Sequence, residues 1–339
     1  MKQNILLLSL TYLFNFALSA YTVNPSLMLQ KGDDVEVDWS FESSLVCENW
    51  NIFVDITEDL IQVKSEMIFK NKGETADFKL GFCDLKPSET GAENTETIFV
   101  DSKKMVPASY EAGNNSVWNV ITVHAKANQI VKLKKLIQIK NCNNYEEYLK
   151  LDFVEFTYDG NISKTSDNFV TVKNNTIDRI LYRFVKNGHG SVQPDKWLSD
   201  DTFEIELMPP PVIGHLEFYL INFLPQVEQG YISYMKNNES LSAYADVFDW
   251  IKRELIGETF FKSDNYIYSS LRLMPKKQLR LFRNSVYALH GRTFKDKELQ
   301  KYFSALPSYN VNSDFKESDL TEDEKTVVNK FLEIESKRK

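Results

Sequence analysis

The sequence predicts an α+β protein: an antiparallel β-sandwich-like region of one or two domains, then a small C-terminal domain of three helices. Two observations lead there. From about residue 35 to about 235 apolar residues recur at every second position, and from Asn238 onwards they recur at every third or fourth. No helical period separates the alternating runs, so turns rather than crossover helices are expected to join the strands, which favours an antiparallel sandwich over a parallel sheet.

Val35, Val37, Trp39 and Phe41 alternate with Glu36, Asp38 and Ser40, the pattern of a half-buried strand. Ile61, Val63, Met67 and Phe69 keep the same period, Asn71-Lys72-Gly73 supplies a turn, and Phe78, Leu80 and Phe82 follow; together they read as a hairpin. Lys86 to Gly91, with Pro87, reads as an exposed loop. Val117 to Ala125 and Leu149 to Tyr158 alternate in turn, the second closed by Asp159-Gly160-Asn161. Phe203, Ile205 and Leu207 alternate with Glu204 and Glu206, and Leu216, Phe218 and Leu220 come after prolines 209–211. Three prolines cannot occupy a central strand, so they mark a connection. Whether this region is one sandwich, or two divided near residues 160–170, stays open.

The period then lengthens. Leu241, Tyr244, Val247, Phe248, Ile251 and Leu255 fall on one helical face that ends at Gly257. Pro275 stands at a helix start, Leu279, Phe282, Val286 and Leu289 form a stripe, and Gly291 stops it. Asp296 is placed to cap a second helix carrying Leu299, Tyr302, Phe303 and Leu306, with Pro307 directly after. Thr321 and Glu324 have capping-box spacing before a third stripe of Val327, Val328, Phe331 and Leu332. The expected domains are therefore 1–20 as a leader, 21–258 as the β-rich region with its terminal helix, and 262–336 as the helical domain.

The run Arg283-Asn284-Ser285-Val286-Tyr287-Ala288-Leu289-His290-Gly291-Arg292-Thr293-Phe294 resembles the signature of the bacterial YARHG domain family, approximately R-N-E-I-Y-A-R-H-G-x-x-F. The likeness extends to Glu298-Leu299-Gln300-Lys301-Tyr302-Phe303 and to Leu320-Thr321-x-x-Glu324-Lys325. Leu289 replaces the arginine of the motif, and Ser308-Tyr309 stands where a Trp-Tyr pair is usual, so no role of that arginine carries over. The resemblance implies an extracellular binding or attachment module joined to varied partner domains, without established catalysis. Caps, stops and core packing account for most of the motif. Arg283, Tyr287, His290 and Arg292 are the residues in it with the chemistry to touch a ligand.

At the other end of the chain, Met1-Lys2-Gln3-Asn4 precedes the apolar run Ile5 to Phe14 and the small-residue close Phe16-Ala17-Leu18-Ser19-Ala20, the order of a secretory signal peptide cleaved after Ala20. The run is shorter than the roughly 20 residues of a transmembrane helix, and no later segment is long enough. The mature protein is expected in the periplasm or outside the cell, with no transmembrane segment. Cys47, Cys83 and Cys142 allow one disulfide at most, Cys47–Cys83 or Cys83–Cys142 among the choices.

A net charge of −8 argues against nucleic acid as a partner, which needs a clustered basic face. The four histidines, His124, His189, His215 and His290, show no metal spacing, and neither a G-x-S-x-G elbow nor a C-x-x-C pair occurs. No cofactor, metal or catalytic residue is assigned. Paired carboxylates such as Asp200-Asp201 or Glu204/Glu206 are what a glycosidase would use, but acidic residues are abundant on any solvated face. Aromatic residues are the better lead: Trp118 and Trp197 foremost, with Tyr231, Tyr234 and Trp250, have flat rings suited to a sugar or peptide. The basic tail from Lys325 to Lys339 reads as a solvated helix end. These readings converge on an exported envelope protein of binding or scaffold type, its partner a cell-wall glycan or another envelope protein. The alternatives are an envelope hydrolase with a carboxylate site in the β region, and a purely structural assembly partner.

Overall fold

A computed structural model of the chain describes residues 19–22, 25–38, 43–57, 60–85, 95–113, 116–140, 146–153, 168–176, 179–186, 193–206, 214–222, 247–256 and 271–338. Its strands, in chain order, begin with β1 (Ser19–Thr22), β2 (Ser26–Lys31), β3 (Asp34–Val37), β4 (Leu45–Ile56), β5 (Leu60–Asn71) and β6 (Ala76–Leu85). They continue with β7 (Thr95–Val100), β8 (Lys103–Met105), β9 (Ala108–Gly113), β10 (Ser116–Ala125), β11 (Ile130–Lys140) and β12 (Glu146–Phe153). The last are β13 (Phe169–Asn174), β14 (Arg179–Lys186), β15 (Lys196–Trp197), β16 (Thr202–Glu206) and β17 (Gly214–Asn222). Helix α1 (Val247–Trp250) runs on as a wider π-helical turn over Ile251–Ile256; then come α2 (Lys276–Ala288), α3 (Lys297–Ser304) and α4 (Glu322–Ser336). The expected α+β division, with a large β region before a helical one, is present.

The strands form three sheets. One has eight strands in the order β15-β16-β13-β4-β5-β11-β7-β8, one has five in the order β3-β2-β6-β10-β9, and one has four in the order β1-β12-β17-β14. Pairing is antiparallel except for β1 with β12 and β4 with β13. Strands from either side of residues 160–170 share sheets, since β13 pairs with β4 and β17 with β12. Along β5 burial alternates without a break, and Ile61, Val63, Met67 and Phe69 all face inward as their spacing predicts. Residues of all three sheets enter one apolar core, in which Phe69, Phe82, Phe203 and Phe218 are fully buried. Each such ring is worth about 1.5–3 kcal/mol in removed apolar surface.

One expected hairpin is a corner instead. Strands β5 and β6 do not pair: β5 lies between β4 and β11, whereas β6 lies between β2 and β10 in the other sheet. Asn71 makes the turn between sheets. It is fully buried, and its side-chain amide donates to the carbonyls of Glu74 (2.7 Å), Ala125 (3.0 Å) and Lys126 (3.2 Å), while its Oδ1 accepts from Gly73 N–H at 3.0 Å. A Cβ on Gly73 would come within 2.6 Å of Ser44, so the close approach requires glycine. A buried amide with this many backbone partners competes with the short turn a hairpin needs, and the chain changes sheets.

The helices build a second core from Leu279, Phe282, Val286, Leu299, Phe303, Val327, Val328 and Phe331. Val247, Phe248 and Ile251 of α1 and its continuation belong to this core, with Phe248 stacked on Phe303 at 5.8 Å. Leu332 is exposed, and Ile334 takes its expected place in the stripe. Cys47 is a buried free thiol, pushed up to about 12 by that burial, so a Cys47–Cys83 bridge does not form. Several expected features lie outside the described residues: the leader up to residue 18, Trp39, Phe41, the loop from Lys86 to Gly91, Cys142, the turn at Asp159, His189, prolines 209–211, Tyr231, Tyr234, Leu241 and Tyr244. Among the described residues, no helix is long and apolar enough to cross a membrane.

Candidate functional site

The helical module is assembled by side chains that cap one helix while gripping another. Asp296 accepts from the N–H groups of Glu298 (2.9 Å) and Leu299 (3.0 Å), capping α3, and its other oxygen takes Arg280 of α2. The Leu299 N–H first, and then Arg280, hold the Asp296 carboxyl below the usual range. Glu324 works in the same way at α4. Its Oε2 accepts from the Thr321 N–H at 2.7 Å, Thr321 Oγ1 accepts from the Glu324 N–H at 3.2 Å, and its Oε1 lies 2.9 Å from His290 Nε2. Burial alone would raise the Glu324 carboxyl, but the Thr321 N–H and His290 together hold it low.

Between α2 and α3 the motif makes its stop. Leu289 ends the helix and Gly291 follows at φ +80°, in the left-handed region. The Gly291 carbonyl accepts from Asn312 N–H at 2.8 Å, and a Cβ on Gly291 would meet Asn310 O at 2.2 Å. The loop after α3 is therefore threaded directly over the glycine. Tyr309 fastens it, its hydroxyl donating to the Arg292 carbonyl at 2.7 Å.

Three of the residues singled out in the motif come together here. The Arg292 guanidinium lies 4.7 Å from the centre of the Tyr287 ring and 3.3 Å from Glu317. Phe315 meets Tyr287 edge-on at 6.5 Å and lies 6.0 Å from the His290 ring. Tyr287, His290, Arg292 and Phe315 are all half-buried, so they offer a cation, an imidazole and two ring edges on one surface. Phe315 carried no motif signal; it arrives from the loop held by the Gly291 and Tyr309 contacts. Arg283 lies elsewhere, paired with Glu335 of α4. Burial raises the Glu335 carboxyl, although Arg283 opposes the shift. Asn284 donates to the Arg280 carbonyl of its own helix at 2.7 Å rather than to a loop.

The two tryptophans are also apart. Trp118 of β10 is half-buried and closes with Met28 over Gly81, where a Cβ would lie 3.1 Å from its ring. Trp197 packs on Phe203 at 5.1 Å and carries the guanidinium of Arg338, from the end of α4, at 3.9 Å. Arg338 also donates to the carbonyls of Leu271 (3.1 Å), Arg272 (2.7 Å) and Met274. Its burial draws it down to about 10, still charged at neutral pH. Arg338 thus docks against the β region, a correction to the solvated end expected of the tail, while the side chains of Lys325 and Lys337 are 42% and 63% exposed, as that reading expects. Nearby, Gln278 donates to Thr176 O at 2.8 Å, Lys276 N–H donates to Asp200 O at 2.9 Å, and the Lys276 ammonium lies 3.4 Å from the Asp200 carboxylate. Asp201, the other half of that acidic pair, accepts from Ser199 and Thr202. Among the described residues no group of three or more His, Cys, Asp or Glu is placed to hold a metal.

A three-helix module closed by paired caps and bolted to a β region defines the class: a β-rich protein carrying a small helical accessory domain. Residues 257–336 match the YARHG domain family, and this C-terminal module is a YARHG domain. No curated protein matches the chain. Among solved structures, the chain is similar to a proposed nutrient binding protein from Legionella pneumophila, at 14% identity and a TM-score of 0.43, over 94% of this chain and 98% of that one. Native yeast LTA4 hydrolase aligns at 8% identity and a TM-score of 0.30, over 52% of this chain and 29% of that one. Similarities at this level assign this chain no function.

Proposed function

We propose that this chain is an exported bacterial envelope protein of non-enzymatic binding or scaffold type, in which the β region holds the YARHG domain as an attachment module. The observation that carries this reading is the convergence of Tyr287, His290 and Arg292 with Phe315 on one half-exposed surface. YARHG domains occur in secreted bacterial proteins, which supports export. Arg283 is taken up by Glu335 in building the module, and within the surface His290 has its Nε2 engaged by Glu324, so the surface suits binding better than proton transfer. The partner is a cell-wall glycan or another envelope protein, and an aromatic ring beside a guanidinium serves either.

Purified protein lacking the leader should be retained on isolated sacculi, and Tyr287→Ala and Arg292→Ala should reduce retention about tenfold while leaving the fold intact, as expected for loss of one central contact. Retention on envelope proteins but not on sacculi would identify the partner as protein. Recovery of all the protein in the unbound fraction with both preparations would overturn the proposal.

A further inference from the structure

A lysine lies at the centre of the β region. Lys135 of β11 occupies an inward position between Leu133 and Ile137 and is completely buried. Its Nζ is 2.7 Å from Oδ1 of Asp84, on β6 of the facing five-stranded sheet, and 3.1 Å from Oε2 of Glu96 on β7. Asp84 is itself buried at 3% exposure and hydrogen-bonds Glu96. Asn119 of β10 donates to Asp84 Oδ2 at 3.1 Å, and the Phe82 ring lies 4.7 Å from Nζ. Two carboxylates and one ammonium thus meet in a mostly apolar interior, where charge is costly and exchange of protons towards neutral groups is favoured. Glu96 reflects this: burial pushes its carboxyl up to about 7, with Lys135 opposing and Asp84 adding to the rise.

We propose that Lys135 and Asp84 condense into an intramolecular amide, with Glu96 as the catalytic acid–base, so that the two sheets are joined covalently. The proton balance closes within the cluster. One proton leaves the Lys135 ammonium for the Asp84 carboxylate through Glu96, giving a neutral amine and a carboxylic acid. The Nζ lone pair then forms a bond to Asp84 Cγ, and the developing charge on Oδ2 meets the Asn119 amide. Glu96 accepts the second nitrogen proton and returns it to the departing hydroxyl. The C–O bond breaks and one water leaves, with Glu96 back in its starting state. No oxidant, metal or co-reactant is required. The spacing supplies the orientation that an amine and an acid lack in free solution, and the reaction removes the buried charges. A plain ion pair between sheets is the competing account, and it leaves the three side chains chemically unchanged.

The test is peptide mapping of the reduced, purified full-length protein by tandem mass spectrometry. The expected product is one linked pair of peptides, joined at Asp84 and Lys135, lighter than their sum by one water and uncut by trypsin at Lys135. Lys135→Arg and Asp84→Ala should abolish the link. Glu96→Gln, checked by circular dichroism for a native spectrum, should lower its yield at least tenfold. Linked protein should also migrate faster than Lys135→Arg on a denaturing gel. Separate, unmodified Asp84 and Lys135 peptides from natively folded wild-type protein would overturn the proposal. A water loss confined to the Asp84 peptide, as from a succinimide, would overturn it as well. An unchanged yield in Glu96→Gln would remove Glu96 from its assigned role.

Discussion

Gly291 combines a positive φ with backbone packed where its side chain would be, at 2.2 Å from Asn310 O and 2.6 Å from Asn312 N. Neither atom is the end of a flexible side chain, so alanine must displace the loop that carries Tyr309 and Phe315. Gly291→Ala should cost about 2–4 kcal/mol in chemical denaturation and weaken any ligand of the Tyr287 surface. Glu324 gives a pH-dependent counterpart. Its folded-state pKa lies below the unfolded value, so its contribution is present above that unfolded value and is lost as pH falls through the folded one. Glu324→Gln should therefore flatten the acid limb of the stability profile and cost about 1 kcal/mol at neutral pH through the weakened capping box. Equal acid sensitivity in the variant and the parent would contradict the role given to this carboxylate.

Among the elements, the corner at Asn71 has the most exact chemical requirement. One side-chain amide donates to three carbonyls, of Glu74, Ala125 and Lys126, the last also held by the Gln129 N–H. Asn71→Ala takes a donor from the buried Ala125 carbonyl, at about 1–3 kcal/mol for an unsatisfied group. The expected result is a lower denaturation midpoint, with faster amide exchange at the ends of β5 and β10. Asn71→Asp presents an acceptor where a donor is needed and should be at least as damaging. The helices of the module depend instead on local contacts: Asp296 and Thr321 each cap within three residues of themselves. These caps should tolerate changes in the β region that the corner would not.

Across the molecule, the two cores meet at one segment. Leu273 is buried with the β core, while Leu271 and Met274 on either side are buried with the helical core. Arg338 ties the backbone of this segment to Trp197. Heating should therefore unfold the β region and the YARHG domain together, in one calorimetric transition. Arg338→Ala combined with Trp197→Ala should separate it into two, with a coupling of about 1 kcal/mol between the substitutions in a double-mutant cycle. Two transitions already present in the unaltered protein would show that the junction does not transmit stability.

The module was legible in the sequence because its determinants are close together along the chain. Caps, stops and stripes act within one or two turns, so Asp296, Thr321 with Glu324, and Gly291 could be assigned from spacing alone. Alternation likewise marked strands such as β5 and β10 and named the inward face of β5. Sheet membership was not legible, because strand pairing depends on partners many residues away; Asn71 therefore read as a hairpin turn and proved to be a change of sheet. Phe315, Arg338 and the Lys135–Asp84–Glu96 cluster were decided by tertiary structure for the same reason. Lys135 did leave one trace, a lysine in the inward register of Val131, Leu133, Ile137 and Ile139. What the sequence alone determined is the α+β division and the YARHG domain with its helix ends, since those follow from backbone periodicity and near-neighbour hydrogen bonds. Only the tertiary structure decided which aromatic and charged groups share a surface or a core, because the energies that bring them together are paid by contacts between distant segments.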